Sequence, residues 1–161
     1  MHRQLAVVVT LLLVMVVGLS CGRGTRMGGV MSADGKLIAR KGTYSVGEGA
    51  HEIRVFRRPG TQTVVDFTVQ RTADGQELIS GSAGSEAMRW CLFWSAADGR
   101  LWVYSGDEGL FVWEPGREGK YSLYTFVGTG DPKEKLMPTI FYDFLPDSIK
   151  KTVKRPTPAG S

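Results

Sequence analysis

Short apolar segments separated by turn sequences run through most of the chain. Asp-Gly pairs interrupt them at 34–35, 74–75 and 98–99, and Asp-Gly supplies the positive φ angles that tight hairpins need. Segments that recur about every 8–12 residues are typical of an antiparallel sandwich, barrel or meander. Strands do not alternate with helices along the sequence, so a parallel sheet is not expected. The segments that we interpret as strands are 37–46, 52–58, 63–72, 77–82, 88–95, 100–105, 110–114 and 120–128.

The two halves of this pattern differ. Apolar and polar residues alternate in 64–71, whereas 90–94 (WCLFW) is apolar on both faces and therefore needs cover on both. The apolar segment 138–145 is a suitable cover, and 146–151 begins with Pro and ends with cations, as short helices do. We therefore predict an all-β fold: an antiparallel meander of about eight strands, sandwich or barrel, with a short C-terminal helical segment packed on it.

The start of the chain has the composition of an export signal. Arg3 precedes Leu5–Leu19, an apolar run of 15 residues, which is short for a membrane span of about 20. A basic start, a short apolar core and small residues at its exit predict a signal peptide over residues 1–20. An uncleaved membrane anchor is the alternative.

Cys21 resembles the lipidated cysteine of bacterial lipoproteins. Ser20 fits the small residue before that cysteine, but Gly18 stands where the family usually has Leu, and Leu19 follows one place late. The resemblance implies that Cys21 carries lipid, such as palmitate, and anchors the protein to a membrane of the cell envelope. Gly18 and Ser20 also suit ordinary signal peptidase, which would give a secreted protein. In every case the domain lies outside the cytoplasm.

The remaining chain divides by composition. Residues 21–36 are rich in Gly and polar residues and are predicted to be a flexible tether. Residues 37–151 are predicted to form the β domain with its helical cover, and 152–161 a disordered tail.

The net charge and the residues that could bind metal argue against nucleic-acid binding and against metal sites. The net charge is only +4, and the basic cluster over 150–155 lacks aromatic residues, so no nucleic-acid partner is expected of an exported protein. His51 is the only histidine after the leader, which argues against zinc sites built from several imidazoles. Asp107 and Glu108 lack the spacing of a calcium loop. We assign no metal, cofactor or catalytic residue.

Cys91 lies in the most apolar segment and is expected to be a buried, inert thiol. If Cys21 carries no lipid, a Cys21–Cys91 disulfide becomes available, because export permits it. A Cys91–His51 nucleophile pair has no local sequence signature, although a base beside a thiol can activate it.

The run 80–85 (SGSAGS) is interpreted as a mobile loop.

The aromatic residues of the second half form the candidate site. If Gly106–Gly109 is the hairpin loop, Ser105 lies opposite Leu110, and alternation puts the aromatic side chains of both strands on one face. That face is expected either to be core beneath the C-terminal segment or to be an exposed platform for sugar rings or a partner protein. The candidate ligand-binding residues are Trp102, Tyr104, Phe111, Trp113 and Tyr124.

Residues 98–125 also resemble a single blade repeat of sensor-type β-propellers, in DGRLWV, GLFVW, GKY and YT. The resemblance implies a three-strand meander but not a propeller, which needs four or more blades.

From these features we expect an envelope-anchored protein that binds or scaffolds a cell-wall glycan or an envelope protein. One alternative is an inhibitor of an exported hydrolase, because Gly81–Trp90 resembles the Ser/Gly-rich loop of lipoprotein inhibitors of lysozyme; those are small β-barrels with a disulfide that this chain lacks if Cys91 is alone. A hydrolytic enzyme is the other alternative.

Overall fold

The computed structural model describes residues 29–32, 35–126 and 131–156, so the predicted leader and Cys21 lie outside the described residues. The described chain forms two antiparallel sheets and two short α-helices. The larger sheet consists, in spatial order, of β1 (Gly29–Ser32), β2 (Gly35–Ile38), β7 (Trp90–Ser95), β8 (Leu101–Ser105), β9 (Gly109–Pro115) and β10 (Tyr121–Thr125).

The smaller sheet follows the chain order, and its strands are β3 (Gly42–Val46), β4 (His51–Arg57), β5 (Val64–Arg71) and β6 (Glu77–Ser85). The chain passes from the larger to the smaller sheet after Ile38, where the polar residues Arg40 and Lys41 separate β2 from β3. The segment 37–46, predicted as one strand, is therefore two strands in different sheets. The predicted all-β fold with a C-terminal helical segment is confirmed, and of the two architectures left open the sandwich is the one formed.

The two sheets enclose the first core. Alternate residues of β5, including Val65, Phe67 and Val69, are fully buried against residues such as Leu92 and Leu101 of the larger sheet. Each such side chain contributes about 1.5–3 kcal/mol by leaving water. The period-2 pattern of the sequence thus places one face of each sheet in a shared core.

The second core lies on the opposite face of the larger sheet. Helices α1 (Thr139–Phe144) and α2 (Asp147–Lys150) follow each other over this face, which confirms the predicted C-terminal helical segment. Phe141 is fully buried, with its ring centroid 6.0 Å from that of Trp102 and 6.4 Å from that of Phe93. The molecule has three layers: the smaller sheet, the larger sheet and the C-terminal segment.

The packed chain is longer than the predicted domain at both ends. Strands β1 and β2 start within the stretch predicted as a tether. This stretch is ordered as strands because β2 pairs with β7 and β1 pairs with β2. At the other end Val153 is buried in the second core, and the N–H of Lys154 donates to Glu134 at 3.0 Å.

Helix α2 begins at Asp147, and Pro146 directly precedes it. None of the helices in the described part of the chain is both long and apolar enough to cross a membrane.

The predicted register of the β8–β9 hairpin is wrong by one residue. Ser105 pairs with Gly109 rather than with Leu110, so Trp102 lies opposite Val112 and Leu101 opposite Trp113. The loop has three residues because Gly109, at a φ of 98°, already belongs to β9. A slip of one residue exchanges the two faces of a strand. The three-strand meander of β8, β9 and β10 itself is as predicted.

Candidate ligand-binding groove

The corrected register separates the five candidate aromatic residues. Trp102 and Tyr104 are buried in the second core, where the half-buried Tyr124 also packs. Phe111 and Trp113 lie on the other face of the sheet and pack only partly against the first core. The prediction that these side chains share one face is therefore wrong. Trp102 and Tyr104 are core beneath the C-terminal segment, but the expectation of core, made for one shared face, does not hold for Phe111 and Trp113.

Phe111 and Trp113 are half-exposed because the two sheets differ in width. The smaller sheet has two strands fewer than the larger sheet, and its edge strand β6 contacts β7 and β8. The inner face of β9 and β10 consequently extends past the edge of the smaller sheet. Leu123, which pairs with Trp113, is 53% exposed on this overhang.

A groove of about 430 Å³ lies between the overhang and β6, and we call it the aromatic groove. Its wall on the larger sheet includes Phe111 and Trp113, which are two positions apart on β9 and therefore point the same way. The residues that line it are Phe67, Ser80, Gly81, Ser82, Glu108, Phe111, Trp113, Leu123 and Thr125. It combines an apolar surface with a few polar groups, as small-molecule sites do.

The floor of the aromatic groove depends on Gly81. Gly81 pairs with Phe67, and a Cβ at position 81 would lie 2.7 Å from the Cζ of that ring. The phenyl ring thus occupies the space that a side chain at 81 would take. The interpretation of 80–85 as a mobile loop is wrong, since these residues continue β6. Ile79 and Ala83 are buried, but glycine and serine between them conceal the alternation in the sequence.

The β8–β9 loop closes one end of the groove and is held by hydrogen bonds. The hydroxyl of Ser105 donates to Asp107 at 2.7 Å and accepts from the backbone N–H of Glu108 at 3.2 Å. Asp107 also accepts from the N–H of Ser85 at 2.9 Å. The hydrogen bond from Ser105 is the main reason that the pKa of Asp107 lies below its usual value. This loop therefore holds Glu108 in place beside the end of β6.

Cys91 and His51 are separated by the larger sheet: Cys91 belongs to β7 of that sheet and faces outward, and His51 belongs to β4 of the smaller sheet. Cys91 belongs to the second core, whereas the ring of His51 contacts that of Trp94 on the inner face, with centroids 4.9 Å apart. Burial raises the pKa of the Cys91 thiol well above its usual value. Burial also lowers the pKa of His51, as does the nearby charge of Arg71. The two side chains therefore do not form a nucleophile and base pair.

The prediction that Cys91 is a buried free thiol is confirmed within the described residues. Because reactivity requires an accessible thiolate, a small thiol reagent should label Cys91 only after denaturation. Labelling of the full chain with and without denaturant, followed by mass measurement of the peptide that contains residue 91, checks this. Rapid labelling of the native protein would contradict the buried position.

Comparison with known proteins gives one partial similarity and no family. No family of known proteins matches the chain, and no solved structure matches it. The chain is 26% identical over 84 residues to "Probable rhamnogalacturonate lyase A" of Aspergillus flavus. That match covers 45% of this chain and 16% of the lyase, so the chain spans a small part of that relative.

Proposed function

We propose that the protein is an envelope-anchored binding module that holds a glycan in the aromatic groove. The observation that supports this is the pair Phe111 and Trp113, presented half-exposed on the overhang beside the exposed Leu123. Aromatic rings offer a large, rigid apolar surface, which suits the C–H faces of sugar rings. The serines of β6 and the carboxylate of Glu108 supply hydrogen-bonding groups at the same groove.

Two further features agree with a carbohydrate ligand at the cell envelope. The leader and Cys21 predict export and lipid anchoring, and an anchored module outside the cytoplasm meets cell-wall polymers. The partial similarity is to a protein named as a rhamnogalacturonate lyase. These features support a carbohydrate as the class of ligand, and the aromatic groove is the site that we propose for it.

Replacement of Trp113 by alanine should weaken glycan binding about ten- to a hundred-fold. Burial of an aromatic side chain against a ligand contributes about 1.5–3 kcal/mol, and each 1.4 kcal/mol or so is a factor of ten in affinity. Calorimetric titration of the full chain with soluble cell-wall oligosaccharides measures the change.

Phe56→Ala is the matched control for this experiment. Phe56 is an aromatic residue at 36% exposure, and it lines a different depression together with Thr43 and Arg54. We expect this variant to bind as the unchanged protein does. If Trp113→Ala and Phe56→Ala bind equally well, the aromatic groove is not the glycan site.

Replacement of Cys21 by serine should release the protein from the membrane. A lipidated cysteine is the attachment point, so without it the domain should appear in the soluble fraction. Detergent partitioning and intact-mass measurement check this. If the replacement leaves membrane association and apparent mass unchanged, the anchor is an uncleaved leader.

The alternative of a hydrolase inhibitor depends on Gly81–Trp90 being a loop. In the structure 81–85 belong to β6, and the chain turns between Ser85 and Trp90 with Met88 exposed. This leaves a short turn as the contact surface, so the aromatic groove is the better supported site. Inhibition of a lytic enzyme by the pure protein, unaffected by Trp113→Ala, would favour the alternative.

A further inference from the structure

The charge of the aromatic groove bears on which glycan it accepts. Of the described residues that line it, Glu108 alone carries a charge. Glu108 is exposed, and within the described chain its carboxylate has neither an ion-pair partner within 4 Å nor a hydrogen-bond donor, although the Arg58 guanidinium attracts it at longer range. The neighbouring carboxylates are engaged, since Asp107 binds Ser105 and Asp66 binds Arg58 at 2.8 and 3.0 Å.

The backbone of Glu108 is also held in place by the hydrogen bonds of its loop. Its backbone N–H donates to the buried Ser105, and the adjacent Asp107 ties the loop to Ser85 of β6. The backbone of Glu108 is therefore fixed at one end of the groove, and its carboxylate extends from there beside the row formed by Phe111 and Trp113. A sugar that lies on those rings brings its hydroxyl or carboxyl groups close to Glu108.

From this arrangement we propose that the aromatic groove selects uncharged sugar chains and rejects acidic ones, with Glu108 as the specificity-determining residue. The inference rests on the proposed glycan-binding function. A carboxylate accepts strong hydrogen bonds from sugar hydroxyls, and it repels a uronate carboxylate at short range. Rejection of the wrong partner by like charge is a common source of specificity. The name of the partly similar lyase denotes an acidic polymer. The charge of the groove therefore predicts a neutral ligand, whereas that similarity predicts an acidic one.

A matched pair of ligands tests the inference: an oligogalacturonide and the same oligosaccharide after reduction of its carboxyl groups. The full chain should bind the reduced form at least about ten-fold more tightly at low salt. In Glu108→Gln, affinity for the reduced form should fall about three-fold and affinity for the acidic form should rise about three-fold. Opposite changes for the two ligands cannot result from a general loss of structure.

Glu77→Gln is the control, because Glu77 is exposed at the start of β6 and does not line the groove. It removes the same charge from the molecule and should leave the ratio of the two affinities unchanged. If the protein binds both ligands and Glu108→Gln leaves their ratio unchanged, the specificity inference is wrong while the glycan function stands. If neither ligand nor any neutral oligosaccharide binds, or if the groove takes up an extended peptide instead, the proposed function itself fails.

Discussion

Replacement of Trp102 by alanine should lower the free energy of unfolding by about 3–5 kcal/mol, the usual cost of removing a buried aromatic side chain. Trp102 is completely buried, and its ring lies 5.7 Å from Phe126 and 6.0 Å from Phe141 between centroids. Its indole N–H makes no hydrogen bond within the described chain, so the loss is one of packing. Since domains are stable by about 5–15 kcal/mol, the variant should unfold at much lower urea concentration.

Trp113→Ala is the comparison that makes this result informative about the register. Trp113 is half-exposed on the opposite face of the same sheet, so its removal should cost clearly less stability than the removal of Trp102. Urea denaturation followed by circular dichroism measures both variants. Equal losses would contradict the observed register, because the two indoles would then have equivalent surroundings.

The sequence predicts the fold class well because its signals are local. The alternation in 64–71 and the turn residues between segments are each read within a few positions, and both appear in the structure as β5 and the hairpins. The C-terminal segment could also be predicted, since a strand such as Trp90–Ser95, apolar on both faces, needs cover on both.

The site could not be predicted, because it depends on details that the pattern does not contain. The register of β9 depends on one residue: whether the loop has three or four members is decided by Gly109 and by the hydrogen bonds of Ser105. The aromatic groove depends on the difference in width between the two sheets and on the position of β6 against β7 and β8. The division of the strands between the two sheets follows from the break between β2 and β3 at residues 39–41. That break looks in the sequence like the middle of one strand.

Removal of residues 131–161 should prevent the domain from folding stably. The second core would lose Phe141 and Leu145, and loss of a buried phenylalanine or leucine each costs about 2–5 kcal/mol. Phe93 and Trp102 would become exposed on the central sheet. The combined loss approaches the entire stability of an ordinary domain.

Polar contacts made by the same segment add to this effect. The hydroxyl of Tyr124 donates to Asp131 at 3.2 Å, and Lys133 forms an ion pair with Glu114, which also binds Arg100 at 2.9 Å. The hydrogen bonds from Lys133 and Arg100 lower the pKa of Glu114. Without residues 131–161 Glu114 keeps only one of its two cations, so the edge of the larger sheet loses polar contacts together with its apolar cover.

Size-exclusion chromatography and binding of a hydrophobic dye measure the outcome of the truncation. The shortened chain should aggregate or bind dye strongly, because exposed apolar patches of this kind associate. A chain that ends at Pro156 is the control: it keeps Val153 in the second core and the hydrogen bond from Lys154 to Glu134, and it should behave as the full chain does. A chain without residues 131–161 that remains monomeric, with an unchanged melting temperature, would show that the larger sheet does not need this cover.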